Sequence, residues 1–225
     1  MQLTEAVLNI LAPFNCIGCG REGTILCQGC LQSEVLPLPS RCFLCQATTK
    51  EFATCTNCRQ KSGLNHVWIC ADYSDLAKHL MTKLKFGRAS AASRVIAGHM
   101  ADTLPNLEDT LITYVPTATG RVRQRGFDQS KLIARELSFV TGWPMAPLLA
   151  RLSQSRQVGA GRQQRAKQLA EAFYVVNPFM IKSAKHILLV DDITTTGATL
   201  SAAAKSLKAS GAKKISAIVF AQKNL

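Results

Sequence analysis

Aromatic side chains make up only 6% of the 225 residues, so a broad base-stacking platform is not expected. Acidic residues are also scarce: 14 Asp and Glu stand against 27 Lys and Arg, for a formal net charge of +13. No uncharged run reaches the roughly 20 residues that cross a bilayer. The run 137–150 is short and is interrupted by Pro144 and Pro147. The first residues show no basic stretch ahead of an apolar block, so no secretory leader is expected and a soluble cytoplasmic protein is the default. Histidine is rare, and His66, His79, His99 and His186 are scattered, with no general base standing out. What is present is 47% hydrophobic and 18% charged, which excludes a disordered chain. The length allows one or two domains.

The positive charge is unevenly placed. Residues 1–58 hold three basic and four acidic side chains, and residues 59–225 hold 24 and ten. Between Arg121 and Lys167 ten basic residues face two acidic ones, Asp128 and Glu136. Such a field favours polyanions: phosphorylated small molecules, nucleic acid or an anionic membrane surface.

Hydrophobic spacing predicts a short helix over 3–11. After Gly63 strand and helix patterns alternate: strands over 67–73, 110–115, 173–176, 187–190 and 215–221, helices over 76–86, 91–104, 129–140 and 198–210. The segment 153–168 is polar and basic, which reads as a loop or an exposed helix start. Strands alternating with helices predict an α/β fold with a parallel sheet, whose ligands bind beyond the carboxyl ends of the strands. Two stretches fall at such ends, 116–129 and 191–199. The composition shift divides the chain into a cysteine module over 1–62 and an α/β domain over 63–225.

The module holds four Cys-x-x-Cys turns: Cys16/Cys19, Cys27/Cys30, Cys42/Cys45 and Cys55/Cys58. Two such turns complete a tetrahedral thiolate site, so eight cysteines make two structural zinc sites. Disulfides, iron–sulfur ligation and a redox Cys-x-x-Cys are the competing readings, and a reducing compartment favours zinc. The turns can pair in three ways. Sequential pairing is favoured, because each half then forms a compact ribbon. Cys70, alone in an apolar strand, reads as a core residue.

The apolar run Ile187-Leu188-Leu189-Val190 delivers Asp191 and Asp192, followed by Ile193-Thr194-Thr195-Thr196-Gly197-Ala198-Thr199. Small Thr and Gly side chains let backbone N–H groups converge on a phosphate at a helix start, and the Thr hydroxyls add donors. The adjacent carboxylates can accept from two ribose hydroxyls, with magnesium balancing charge nearby. This chemistry fits a ribose 5-phosphate; a plain helix-cap cluster is the bland alternative.

Upstream, Arg121, Arg123 and Arg125 at spacing two precede Gly126-Phe127-Asp128-Gln129. In a loop they can clamp a multiply charged phosphate and stabilise a leaving pyrophosphate. The bland reading is a basic surface loop. Lys85, at a helix end in Lys83-Leu84-Lys85-Phe86-Gly87, is a further candidate at the site edge.

The string 188–199 resembles the fingerprint of the phosphoribosyltransferase superfamily. The resemblance implies a type I phosphoribosyltransferase-like sheet, ribose contacts from Asp191 and Asp192, and 5-phosphate contacts from Thr195, Thr196, Gly197, Ala198 and Thr199. Purine-salvage members usually carry an acid where Thr195 stands, which argues against a hypoxanthine or guanine acceptor. With the four Cys-x-x-Cys turns, Tyr73 through Leu84-Lys85-Phe86-Gly87, Arg125-Gly126-Phe127-Asp128-Gln129 and Gln157 through Arg165 to Phe173, the chain resembles the ComF family almost end to end. Asp128 replaces that family's usual Asn. The resemblance implies handling of DNA in natural transformation, with DNA-uptake proteins as partners.

Three functions follow. The first is a phosphoribosyl-pyrophosphate-binding protein that also contacts single-stranded DNA. The second is a transferase in which magnesium–phosphoribosyl pyrophosphate binds at 191–199, Asp191, Asp192, Arg123 and Arg125 serve the chemistry, and Lys85, Arg121, Gly126, Gln129 and Thr194–Thr199 bind substrate. The third is a nucleotide-sensing regulator without turnover. Phe127, Tyr174 and Trp68 are the candidates for stacking on bases.

Overall fold

The computed structural model describes residues 14–35, 38–86, 89–152 and 172–223. The expected helix over 3–11 and the basic segment 153–168 lie outside the described residues.

Four strands form one parallel sheet: β1 (Val67–Asp72), β2 (Thr110–Tyr114), β5 (His186–Thr194) and β6 (Lys214–Gln222), in the order β1-β6-β5-β2. A short antiparallel pair, β3 (Leu149–Arg151) with β4 (Phe173–Val175), stands apart. The helices are α1 (Gln28–Glu34), α2 (Thr56–Ser62), α3 (Asp75–Phe86), α4 (Ala89–Thr103), α5 (Thr119–Arg125), α6 (Gln129–Thr141), α7 (Pro178–Ser183) and α8 (Ala198–Ala209).

Both faces of the sheet are covered, which is why its strands are near-continuous apolar runs. Alternate residues of each strand enter two cores. Trp68, Cys70, Leu188, Val190, Ile218 and Phe220 pack with α3, α4 and α6 through Leu80, Leu84, Ile96, Met100, Ile133 and Leu137. Val67, Ile69, Ile187, Leu189, Ala217 and Val219 pack with α7 and α8 through Ile181, Leu200, Ala203 and Leu207. The chain leaves β1 for the far edge at β2 and returns to β5 and β6, with α3, α4 and α6 on one face and α7 and α8 on the other. That path brings the segment after β2 beside β5 just ahead of the acid pair, where Val115 N–H donates to Val190 O at 2.9 Å.

Two buried titratable groups serve the core. Cys70 is 1% exposed, and burial pushes its thiol up to about 12. His186 sits between Thr110 Oγ1 (3.3 Å) and Ser216 Oγ (3.0 Å). Burial, with the charges of Lys214 and His66, lowers it to about 4, so it is neutral near pH 7.

Candidate phosphate site and cysteine modules

β5 does not stop before the acid pair. It runs through Thr194, which still pairs with Gln222, so Asp191 and Asp192 are strand residues and the turn is 195–197. Both acids are buried. Asp191 Oδ1 accepts from Ser130 Oγ at 2.9 Å, and Asp192 Oδ2 accepts from Gln129 Nε2 at 3.1 Å. Gln129 and Ser130 open α6 and are themselves buried. Lys85 Nζ lies 3.5 Å from Asp192 Oδ2. Burial, then the adjacent Asp192 charge, pushes the Asp191 carboxyl well above the usual carboxylate range, against the pull of the Asp192 N–H and Ser130.

Beyond the acids Thr195, Thr196 and Ala198 are exposed, while Gly197 is buried at the N-cap of α8. A helix start leaves its first N–H groups without intrahelical acceptors, and its dipole adds positive potential. Gly197 has φ 70°, a conformation that favours glycine. A β-carbon there would stand 2.5 Å from Phe43 Cε2 and 3.2 Å from Leu44 Cδ2, so the second cysteine module presses on the turn from behind.

The arginine stretch is helical, which changes its geometry. At roughly 100° per residue, Arg121 and Arg125 share a face of α5 and Arg123 points away. Arg121 and Arg123 are exposed. Arg125 turns to the site: Nη1 donates to Gln129 Oε1 at 2.9 Å, and its guanidinium stacks 5.4 Å above Phe86. Gln129 therefore links Arg125 to Asp192. Gly126 caps α5 with φ 82°. Asp128 caps α6: its carboxylate accepts from Thr117 N (2.8 Å), Thr117 Oγ1 (3.0 Å) and Lys131 N (3.2 Å). Sequence reading missed Ser130 and Phe86 as neighbours of the site. Among the stacking candidates, Trp68 is core, Phe127 is half-buried and Tyr174 is 47% exposed.

The eight module cysteines form two clusters, Cys16/Cys19/Cys27/Cys30 and Cys42/Cys45/Cys55/Cys58, so the turns pair sequentially. The Sγ atoms of each cluster lie within 4.8 Å of one another. Cys19–Cys27 and Cys45–Cys55 are both 3.7 Å apart, close to the ~3.8 Å edge of a tetrahedron with Zn–S bonds of about 2.3 Å. Burial raises Cys16 and Cys42, but backbone N–H groups outweigh it and lower both to about 6. Cys30, mainly through Cys27, and Cys58, mainly through burial, are pushed up to about 12. Four cysteine sulfurs crowd one point in each cluster, a donor set that fits a closed structural zinc site.

A parallel sheet carrying an acid pair and a Thr/Gly turn at its carboxyl edge defines the phosphoribosyltransferase class. Residues 92–224 match the phosphoribosyl transferase domain, and the chain belongs to that family. Among the proteins it is similar to are competence and DNA-utilization proteins of the ComF type. The chain is 27% identical over 199 residues to Competence protein ComFC of Streptococcus pneumoniae, covering 87% of this chain and 80% of that protein. It is 26% identical over 217 residues to Competence protein F of Haemophilus influenzae, covering 90% and 94%. It is 29% identical over 178 residues to the DNA utilization protein YhgH of Escherichia coli, covering 74% and 77%. Among the described residues no helix is long and apolar enough to cross a membrane.

Proposed function

We propose that this protein binds magnesium–phosphoribosyl pyrophosphate at Asp191–Thr199 and single-stranded DNA on its basic surface, acting in DNA uptake from the cytoplasm with two structural zinc ions in the cysteine clusters. The observation that carries the ligand site is the buried acid pair, aimed by Gln129 and Ser130 beside an exposed Thr turn at a helix start. Asp191 and Asp192 accept from the two ribose hydroxyls, and the 195–199 turn takes the 5-phosphate through backbone N–H groups and Thr hydroxyls. Magnesium neutralises the pyrophosphate and relieves the crowded carboxylates. Lys85 balances Asp192 in the free protein and can swing toward the pyrophosphate.

The test is calorimetric titration of the zinc-loaded protein with magnesium–phosphoribosyl pyrophosphate, beside a folded Asp191→Asn/Asp192→Asn variant. Binding that the variant loses is expected. No binding by the parent sinks the ligand reading and leaves the fold as a scaffold.

A transferase reading is favoured by the link from Arg125 through Gln129 to Asp192, which sets a cation beside the ribose site for a departing pyrophosphate. Thr195 argues against hypoxanthine or guanine as its acceptor. A nucleotide sensor would use the same contacts without turnover, and product analysis with candidate acceptors separates the two.

For DNA the relatives' names and the basic excess support electrostatic tracking of phosphates. With about four phosphates neutralised, log affinity for an oligothymidylate is expected to fall with log salt at a slope of about −3. A slope near zero would remove the DNA arm.

A further inference from the structure

We propose that the second cysteine cluster positions the sugar-phosphate turn. Phe43, held between Cys42 and Cys45, sets the turn at Gly197 and so couples ligand binding to metal occupancy of Cys42/Cys45/Cys55/Cys58. The proposal rests on the reading of 195–199 as a sugar-phosphate site.

The coupling is built from contacts on one helix. Phe43 is 3% exposed and shares a core with Leu200, in the first turn of α8. Its ring occupies the space that any side chain at 197 would need. Phe43 and Leu44 are the whole spacer between two ligands, in a tight turn closed by Gln46 N–H to Cys42 O at 2.9 Å. The other two ligands come from the start of α2, which also packs on α8; a β-carbon at Gly63, which caps α2, would lie 3.8 Å from the Ala204 backbone. One metal would thus tie the knuckle at the start of α8 to the helix that braces its middle. Without it, the spacer loses both anchors and Phe43 loses its fixed place behind Gly197.

The first cluster is an internal control. Its module buries Ile25, Leu26, Leu31 and Val35 in the other core, on the side of α3, α4 and α6. Reciprocity then makes an asymmetric prediction: whatever zinc at the second cluster does for ligand affinity, ligand must do for zinc affinity at that cluster.

The experiment sets the full chain against a chromogenic chelator and reads the zinc partition at equilibrium, with and without ribose 5-phosphate. That probe lacks the pyrophosphate that would itself chelate metal. Two zinc ions are expected to pass to the chelator, one of them held about fivefold or more tightly when the sugar phosphate is bound. In Cys16→Ser/Cys19→Ser the remaining zinc is protected; in Cys42→Ser/Cys45→Ser it is not. Phe43→Ala keeps two zinc ions but loses the protection, and the milder Phe43→Leu shows it reduced should the alanine variant fold poorly. Protection of both ions, of neither, or undiminished protection in the Phe43 variants overturns the inference while ribose 5-phosphate still binds by calorimetry. Absence of binding to the zinc-loaded parent overturns the sugar-phosphate reading itself, and this inference with it.

Discussion

The Asp191→Asn/Asp192→Asn variant is expected to melt higher than the parent while losing its ligand. Asp191 and Asp192 are adjacent and buried, and burial and the neighbouring charge both oppose ionisation of Asp191. A carboxyl whose folded pKa lies above its unfolded value holds a proton that the unfolded chain releases. Its destabilising effect is complete above the folded pKa and fades as pH falls toward the unfolded one. Melting the parent and variant side by side across pH 4 to 8 isolates this contribution from acid release of zinc, which both share. The variant should gain a few degrees near neutrality, at about 2–4 °C per kcal/mol for a chain of this size. The gap should close toward pH 4. The amide at 191 can still accept from Ser130, so the fold keeps that bond. Ligand binding should fall by about 2–5 kcal/mol, more than about thirtyfold, because buried charged acceptors are removed. A variant that melts lower than the parent at neutral pH would show that the pair stabilises the fold, and the reading of a strained, ligand-directed pair would fail.

Removing one metal site is expected to have the larger structural effect. Cys55→Ser should lower the zinc content from two ions per chain to one and cost more than about 4 kcal/mol, a loss of at least about 8 °C in melting temperature. The module has little apolar material of its own, and isolated zinc modules draw about 10–16 kcal/mol of apparent folding energy from the metal. Loss of the second cluster also reaches the sheet, because Phe43 belongs to the core under α8. Zinc analysis and melting give the magnitudes. Limited proteolysis gives the place: cuts should appear before residue 63 first, with β1, β5 and β6 protected, if 1–62 and 63–225 are the units that zinc and the sheet hold respectively. Cleavage that begins within the sheet would reject that division.

Much of the architecture was legible because it is local. Ile187–Val190 and 215–221 are apolar runs that only a doubly covered strand explains, and 76–86 and 129–140 carry helical spacing. The acid pair with its Thr/Gly turn is contiguous, as are the Cys-x-x-Cys turns. The short helices α1, α2, α5 and α7 were not legible. Six or seven residues are too few to be helical alone, so tertiary contacts decide them. That omission mattered at α5, where arginines at spacing two in a loop would converge and in a helix do not.

By itself the sequence determined the α/β class, the two cysteine-rich halves and the contiguous acid pair with its Thr/Gly turn, since each is written in neighbouring positions and periodicities. Only the tertiary structure decided which cysteine turns pair, that Gln129 and Ser130 aim the acids from 63 and 61 positions away, and that Phe43 backs Gly197. Those contacts join segments far apart in the chain. Their partners are set by parallel strand order and by packing of the second cysteine module on α8, which leave no periodic trace in either segment.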